Sequence, residues 1–216
     1  MGMGCSVSAT QLTLMSATHD DVPAGTTITQ KRSRESTESG KRIIDERLKI
    51  SENDRRLIAR TWKGISRNME QTGIDMFLKL FQNNFNLKNL FSEFRGLETA
   101  EAMRQSQALE NHAMMVMCTL DDAICSLDDV DYVQEQLRNV GKSHRRFHGY
   151  VADNFLKIEE PFLESIKETI GAKFTPELED SYRKTINFVL GNLAHGFSSG
   201  GEKERDISET SETAVD

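Results

Sequence analysis

Residues 109–144 read LENHAMMVMCTLDDAICSLDDVDYVQEQLRNVGKSH, and the spacing of their apolar positions decides the fold class. Leu109, His112, Val116, Leu120, Ala123 and Leu127 recur at intervals of three and four, the period of an α-helix with one buried face. After a polar break at Asp128 and Asp129, the same period returns on a shorter helix through Val133, Leu137, Val140 and His144. In each stripe a histidine stands where an apolar side chain is expected. A buried polar group without a partner costs about 1–3 kcal/mol, so both imidazoles need one.

The helical period extends in both directions. Ser51 followed by Asp54 has the form of a capping box and opens a first helix with the stripe Ile58, Trp62, Ile65 and Met69. A second carries Ile74, Phe77, Leu78, Phe81 and Phe85. Beyond His144, Val151, Phe155, Ile158, Phe162, Ile166 and Ile170 keep one phase across Pro161, which predicts a single kinked helix. Thr175 as cap and Pro176 at the first helical position start a last helix through Leu178, Tyr182, Ile186, Val189, Leu193 and Phe197. No alternating strand pattern and no internal repeat is present. The expectation is an all-α domain of six to eight helices over 51–197. Residues 1–50 and 198–216 read as disordered tails. The second tail is acidic, with two cations against six carboxylates.

The 216-residue chain has a formal net charge of -7, so no basic field points to nucleic acid. It lacks an apolar run long enough for a membrane span and an apolar N-terminal stretch of the secretory type. Three cysteines, Cys5, Cys118 and Cys125, are too few for a disulfide framework and suggest a reducing compartment. Cys118 and Cys125 would lie about 10 Å apart on one helix, too far to bridge, and read as small core residues. No HExxH, CxxC, paired Glu-x-x-His or phosphate-loop motif occurs. Two readings of His112 and His144 stay open. Each is a core histidine with a satisfied partner, or the two face one core and bind opposite sides of a flat iron cofactor.

Phe91-Ser92-Glu93-Phe94, His112 21 residues after Phe91, Lys142-Ser143-His144 with His148, and Trp62 on the first helix together resemble the globins over about 51–197. The stretches GKSHR and FTPELED are similar to those of the neuroglobin and globin X groups. The resemblance implies a globin fold around haem b. His144 would be the proximal iron ligand, its second nitrogen donating to a backbone carbonyl or to Ser143. His112 would be the distal histidine, giving a bis-histidyl, six-coordinate iron. Phe91 would pack flat on the porphyrin, with Phe77, Phe94, Val116 and Tyr150 also in the pocket. His148, with Arg145 beside it, would lie near the propionates. The implied partners are O2, NO and CO, together with an unknown reductase. The activities such a pocket admits are nitrite reduction, NO dioxygenation and peroxidase-like chemistry. The roles it suits are redox chemistry, lipid protection and gas sensing. Fold alone does not select among them. The alternatives are a haem-based signalling protein acting through a partner and a lipid-anchored helical adaptor without haem.

The chain begins Met1-Gly2-Met3-Gly4-Cys5-Ser6. Gly2 with Ser6 fits the myristoylation pattern, and Cys5 is placed for palmitoylation. One myristoyl chain binds a bilayer only marginally, and a second makes the anchor stable. Lys31, Arg32, Arg34, Lys41 and Arg42 add a minor attraction to anionic lipid. Some globin X proteins are similarly acylated. The expectation is a lipid-anchored protein on the cytoplasmic face of the plasma membrane.

Overall fold

The computed structural model describes residues 45–199, and among these every regular element is helical. Six helices are longer than two turns: α1 (Glu52–Ile65), α2 (Met69–Asn83), α5 (Gln107–Cys125), α6 (Val130–Ser143), α8 (Glu159–Ile170) and α9 (Pro176–Ser199). Three single-turn helices join them: α3 (Phe85–Lys88), α4 (Ala100–Arg104) and α7 (Asp153–Leu156). No described helix is long and apolar enough to cross a membrane.

The helix starts follow local chemistry. Ser51 Oγ accepts from the Asp54 amide while Asp54 Oδ2 accepts from the Ser51 amide, completing the expected capping box. Thr175 Oγ1 accepts from the Leu178 amide at the start of α9. Thr99, Ser106 and Asp129 cap α4, α5 and α6 in the same way.

Packing joins distant segments. α9 lies along α6 and also touches α1, α7 and α8, while α2 packs between α5 and α8. At the α6–α9 crossing the backbones approach so closely that a Cβ on Gly141 would run into the Leu193 carbonyl, and one on Gly196 into that of Arg138. Trp62 donates its indole N–H to Asp121 Oδ1 at 2.7 Å, and its ring sits against Phe162 and Tyr182. This ties α1 to α5, α8 and α9.

Four expectations are corrected. The stripe 151–170 is two helices and not one kinked helix. The chain leaves α7 through a turn at Lys157 and Ile158, which puts Pro161 in the first turn of α8, where its missing N–H is not needed. Phe85 is not a core residue of the second helix. Asn84 (φ -138°, ψ 68°) breaks the register, and Phe85 is 66% exposed. Cys125 is exposed and Cys118 half-buried, so neither is a closed core residue. Lastly, Leu48 and Ile50 are buried in the core, so packing begins ahead of Ser51. Their signal was lost because they lie in a polar, charge-rich stretch.

Candidate functional site

Both stripe histidines reach one cavity of about 520 Å³, a size suited to a sizeable organic group. α2 contributes Phe77, the turn after α3 contributes Phe91 and Phe94, and α5 contributes His112 and Val116. The opposite wall comes from His144, Tyr150 and Phe155, with Leu190 and Leu193 of α9. The predicted pocket residues Phe77, Phe91, Phe94, Val116, Tyr150, His112 and His144 are therefore brought together.

His112 sits between two aromatic rings. The Phe77 and Phe91 centroids each lie 5.0 Å from its own, edge to face. Phe91 stacks on Phe94 at 4.8 Å. Burial, and next the positive charge His144 would carry across the cavity, push His112 down to about 4, with Glu93 at the rim opposing. His112 is thus a neutral imidazole with a free lone pair at ordinary pH.

His144 follows the last residue of α6, where the helix tightens into a 3-10 turn. Its Nδ1 lies 2.9 Å from the Val140 carbonyl oxygen, which also accepts from Ser143 Oγ at 2.7 Å. A carbonyl can only accept, so Nδ1 carries the proton and Nε2 keeps the lone pair. Of the two expected partners, the backbone carbonyl is the one used. Burial lowers the His144 pKa, the Val140 bond opposes, and Arg146 adds to the lowering. The Phe155 ring lies edge-on at 5.0 Å and Tyr150 tilts against the imidazole at 5.3 Å.

His148 does not line the cavity and is exposed. Arg145 is half-buried and His195 exposed. Gly2 and Cys5 lie outside the described residues. Phe155, Asn154, Met115 and the α9 residues Leu190 and Leu193 also line the cavity, with no motif in the sequence to mark them. Phe155 was in helical phase, but nothing local indicated that it would meet His144.

The donor set tests what the cavity can hold. Among the described residues no three His, Cys, Asp or Glu side chains converge as they would around an ion bound by protein alone. Two neutral imidazoles from separate helices, with aromatic and aliphatic walls between, suit a flat metal macrocycle that brings its own equatorial donors. The residues present fit an iron porphyrin.

Comparisons with known proteins agree with this geometry. The sequence pattern of the family described as Globin matches residues 74–193. The neuroglobin of Dissostichus mawsoni is 26% identical over 158 residues, covering 73% of this chain and 99% of its own length. Cytoglobin-2 of Danio rerio is 28% identical over 152 residues, covering 70% and 85%. Among solved structures, a hexacoordinated heme protein from an anhydrobiotic tardigrade superposes with a TM-score of 0.68 at 27% identity, over 71% of this chain and 98% of that one.

Proposed function

This chain belongs to the globin family, and from that premise we propose that it is a membrane-tethered, six-coordinate haem protein held by His144 and His112 that works in redox chemistry or reversible binding of diatomic gases. Haem is the cofactor of this site. The observation that carries the reading is the pairing of two neutral imidazoles on one cavity, one oriented by the Val140 carbonyl and the other clamped by Phe77 and Phe91.

Each residue has a definable task. The Val140 carbonyl fixes the His144 tautomer and ring plane and raises its basicity as a ligand. Phe155 and Tyr150 brace the same ring from the α7 side. Phe77 and Phe91 restrict where the His112 ring can rotate and keep bulk water from it. Bound between these histidines, haem would supply one-electron redox chemistry and reversible binding of O2, NO or CO. An imidazole at His112 competes with every incoming gas, which disfavours bulk oxygen storage. The Gly2 and Cys5 acylation pattern supports confinement to a membrane surface.

Optical spectra of the ferric, ferrous and CO-bound protein test the axial assignment. Six-coordinate low-spin spectra are expected in both unliganded states. His112→Ala should give a five-coordinate ferrous form that still retains haem, and His144→Ala should retain haem poorly. A ferrous wild-type protein with five-coordinate high-spin bands would refute the paired ligation. Radiolabelled myristate should enter the protein in cells and be lost in Gly2→Ala. A label that persists in that variant, or never enters, rejects the tether.

A further inference from the structure

We propose that the crevice wall formed by residues 142–157 is a membrane-docking face that seats the opening of the cavity on an anionic bilayer. The inference goes beyond the acyl tether, because the folded domain itself makes the contact. It rests on the cavity reading only for what is being seated.

Side chains along this wall divide between two sides. His144, Tyr150 and Phe155 turn inward and touch one another. Phe147, Val151 and Leu156, which alternate with them, are 43%, 52% and 47% exposed. Phe147 also lines the cavity, as does Met115 on α5, which is 62% exposed, so these two border its opening from opposite walls. Single exposed apolar residues are ordinary on a protein surface, but a run of them beside a cavity opening marks an interaction site.

The charge on the same wall is opposite in sign to that of the chain. The protein has a net charge of -7, yet residues 142–157 carry Lys142, Arg145, Arg146 and Lys157 against one carboxylate, Asp153. Lys142 and Arg146 are exposed, and the Arg146 guanidinium lies 4.8 Å above the Phe147 ring. Lys157 gives one donor to Asn154 Oδ1. Cations interleaved with an aromatic and two aliphatic side chains match an anionic bilayer, where apolar groups sit at the acyl boundary and cations among the headgroups. Each Lys or Arg close to such a surface strengthens binding about fivefold.

The acidic residues 202–216 are the competing occupant. They follow α9 at the point where Phe197 lies 5.8 Å from Tyr150. They match the cations but bring few apolar side chains to cover Val151 and Leu156. A bilayer accounts for both features.

The test uses the haem-loaded, unacylated full-length chain made in bacteria. Co-sedimentation is measured with vesicles of equimolar phosphatidylserine and phosphatidylcholine and with vesicles of phosphatidylcholine alone. Binding is expected to the first only. Lys142→Glu with Arg146→Glu should weaken it about tenfold or more, and Val151→Ser with Leu156→Ser several-fold. Lys63→Glu with Lys167→Glu, which makes the same change in net charge on α1 and α8, should leave it unaltered. The Soret spectrum of each variant reports that the domain is intact. Absence of binding, or equal weakening by both charge pairs, overturns the proposal. So does binding that appears only when the chain ends at Ser199, which would assign the face to the acidic segment. Colourless protein that still binds vesicles defeats the haem reading alone. Coloured protein that does not bind defeats the docking face alone.

Discussion

His112 is neutral because it is buried beside a second imidazole, and this gives the haem-free protein a pH-dependent stability. The unfolded residue takes up its proton near pH 6.5 and the folded one only near about 4. Between those values the unfolded chain binds more protons, so this contribution is intact above the window and is lost as pH falls through it. Urea unfolding of haem-free protein should lose roughly 1–3 kcal/mol from this residue between about pH 7 and pH 4. The difference between wild type and His112→Gln isolates the contribution, and parallel pH profiles for the two would reject it. Asp54 acts with the same sign at lower pH, although its charged form and not its neutral form is the one favoured in the fold. Burial opposes its ionisation, but hydrogen bonds from the Ser51 amide, Ser181 Oγ and Ser51 Oγ outweigh this and hold its carboxyl below the usual range. Its contribution is present above the ordinary carboxylate range and lost on strong acidification. Asp54→Ala should lower stability at neutral pH by about 1–2 kcal/mol, since it removes the reciprocal half of the α1 capping box and the link to α9 together; an unchanged urea midpoint would contradict that role. The local half of this residue, the capping box, was legible in the sequence. The bond to Ser181, 127 positions away, was not.

At the scale of elements, the α6–α9 crossing sets where His144 stands. α6 carries His144, the proposed ligand, at its C-terminal end, and α9 fixes the tilt of α6 through contact at Gly141 and Gly196. Adding a methyl group at either glycine meets backbone rather than a movable side chain. Gly141→Ala and Gly196→Ala should each cost about 2–3 kcal/mol or more in thermal or urea unfolding, and both should shift the ferric absorption bands as the helix moves. Unaltered stability in both variants would mean that the crossing is looser than described. The stripes of α1, α5, α6 and α9 were readable because periodicity records which face is buried. Element ends were less readable. Pro161 kept the apolar phase, yet its missing N–H is easiest to place in a first turn, so the chain divided ahead of it. Phe85 kept the phase too, but Asn84 ended the helix first.

For the whole molecule, the folded unit starts before the first helix. Leu48 and Ile50 are buried against the core, and Arg47 bonds Asp131 Oδ1 and Gln134 Oε1 of α6 at 2.7 and 2.9 Å. A chain beginning at Ser51 should be less stable than one beginning at Asp45 by about 3 kcal/mol or more, given two lost aliphatic burials. Equal melting temperatures for the two would show that this segment does not belong to the domain. The sequence alone determined the helical class, the caps at Ser51 and Thr175, and the placing of His112 and His144 on apolar faces, because each depends on residues within a few positions of one another. Only the tertiary structure decided that both histidines open on one cavity, that Phe155 braces one of them, that His148 stays outside, and that apolar and basic side chains share the outer wall. Those relations depend on how helices distant along the chain cross, and spacing within a helix carries no record of the angle between two.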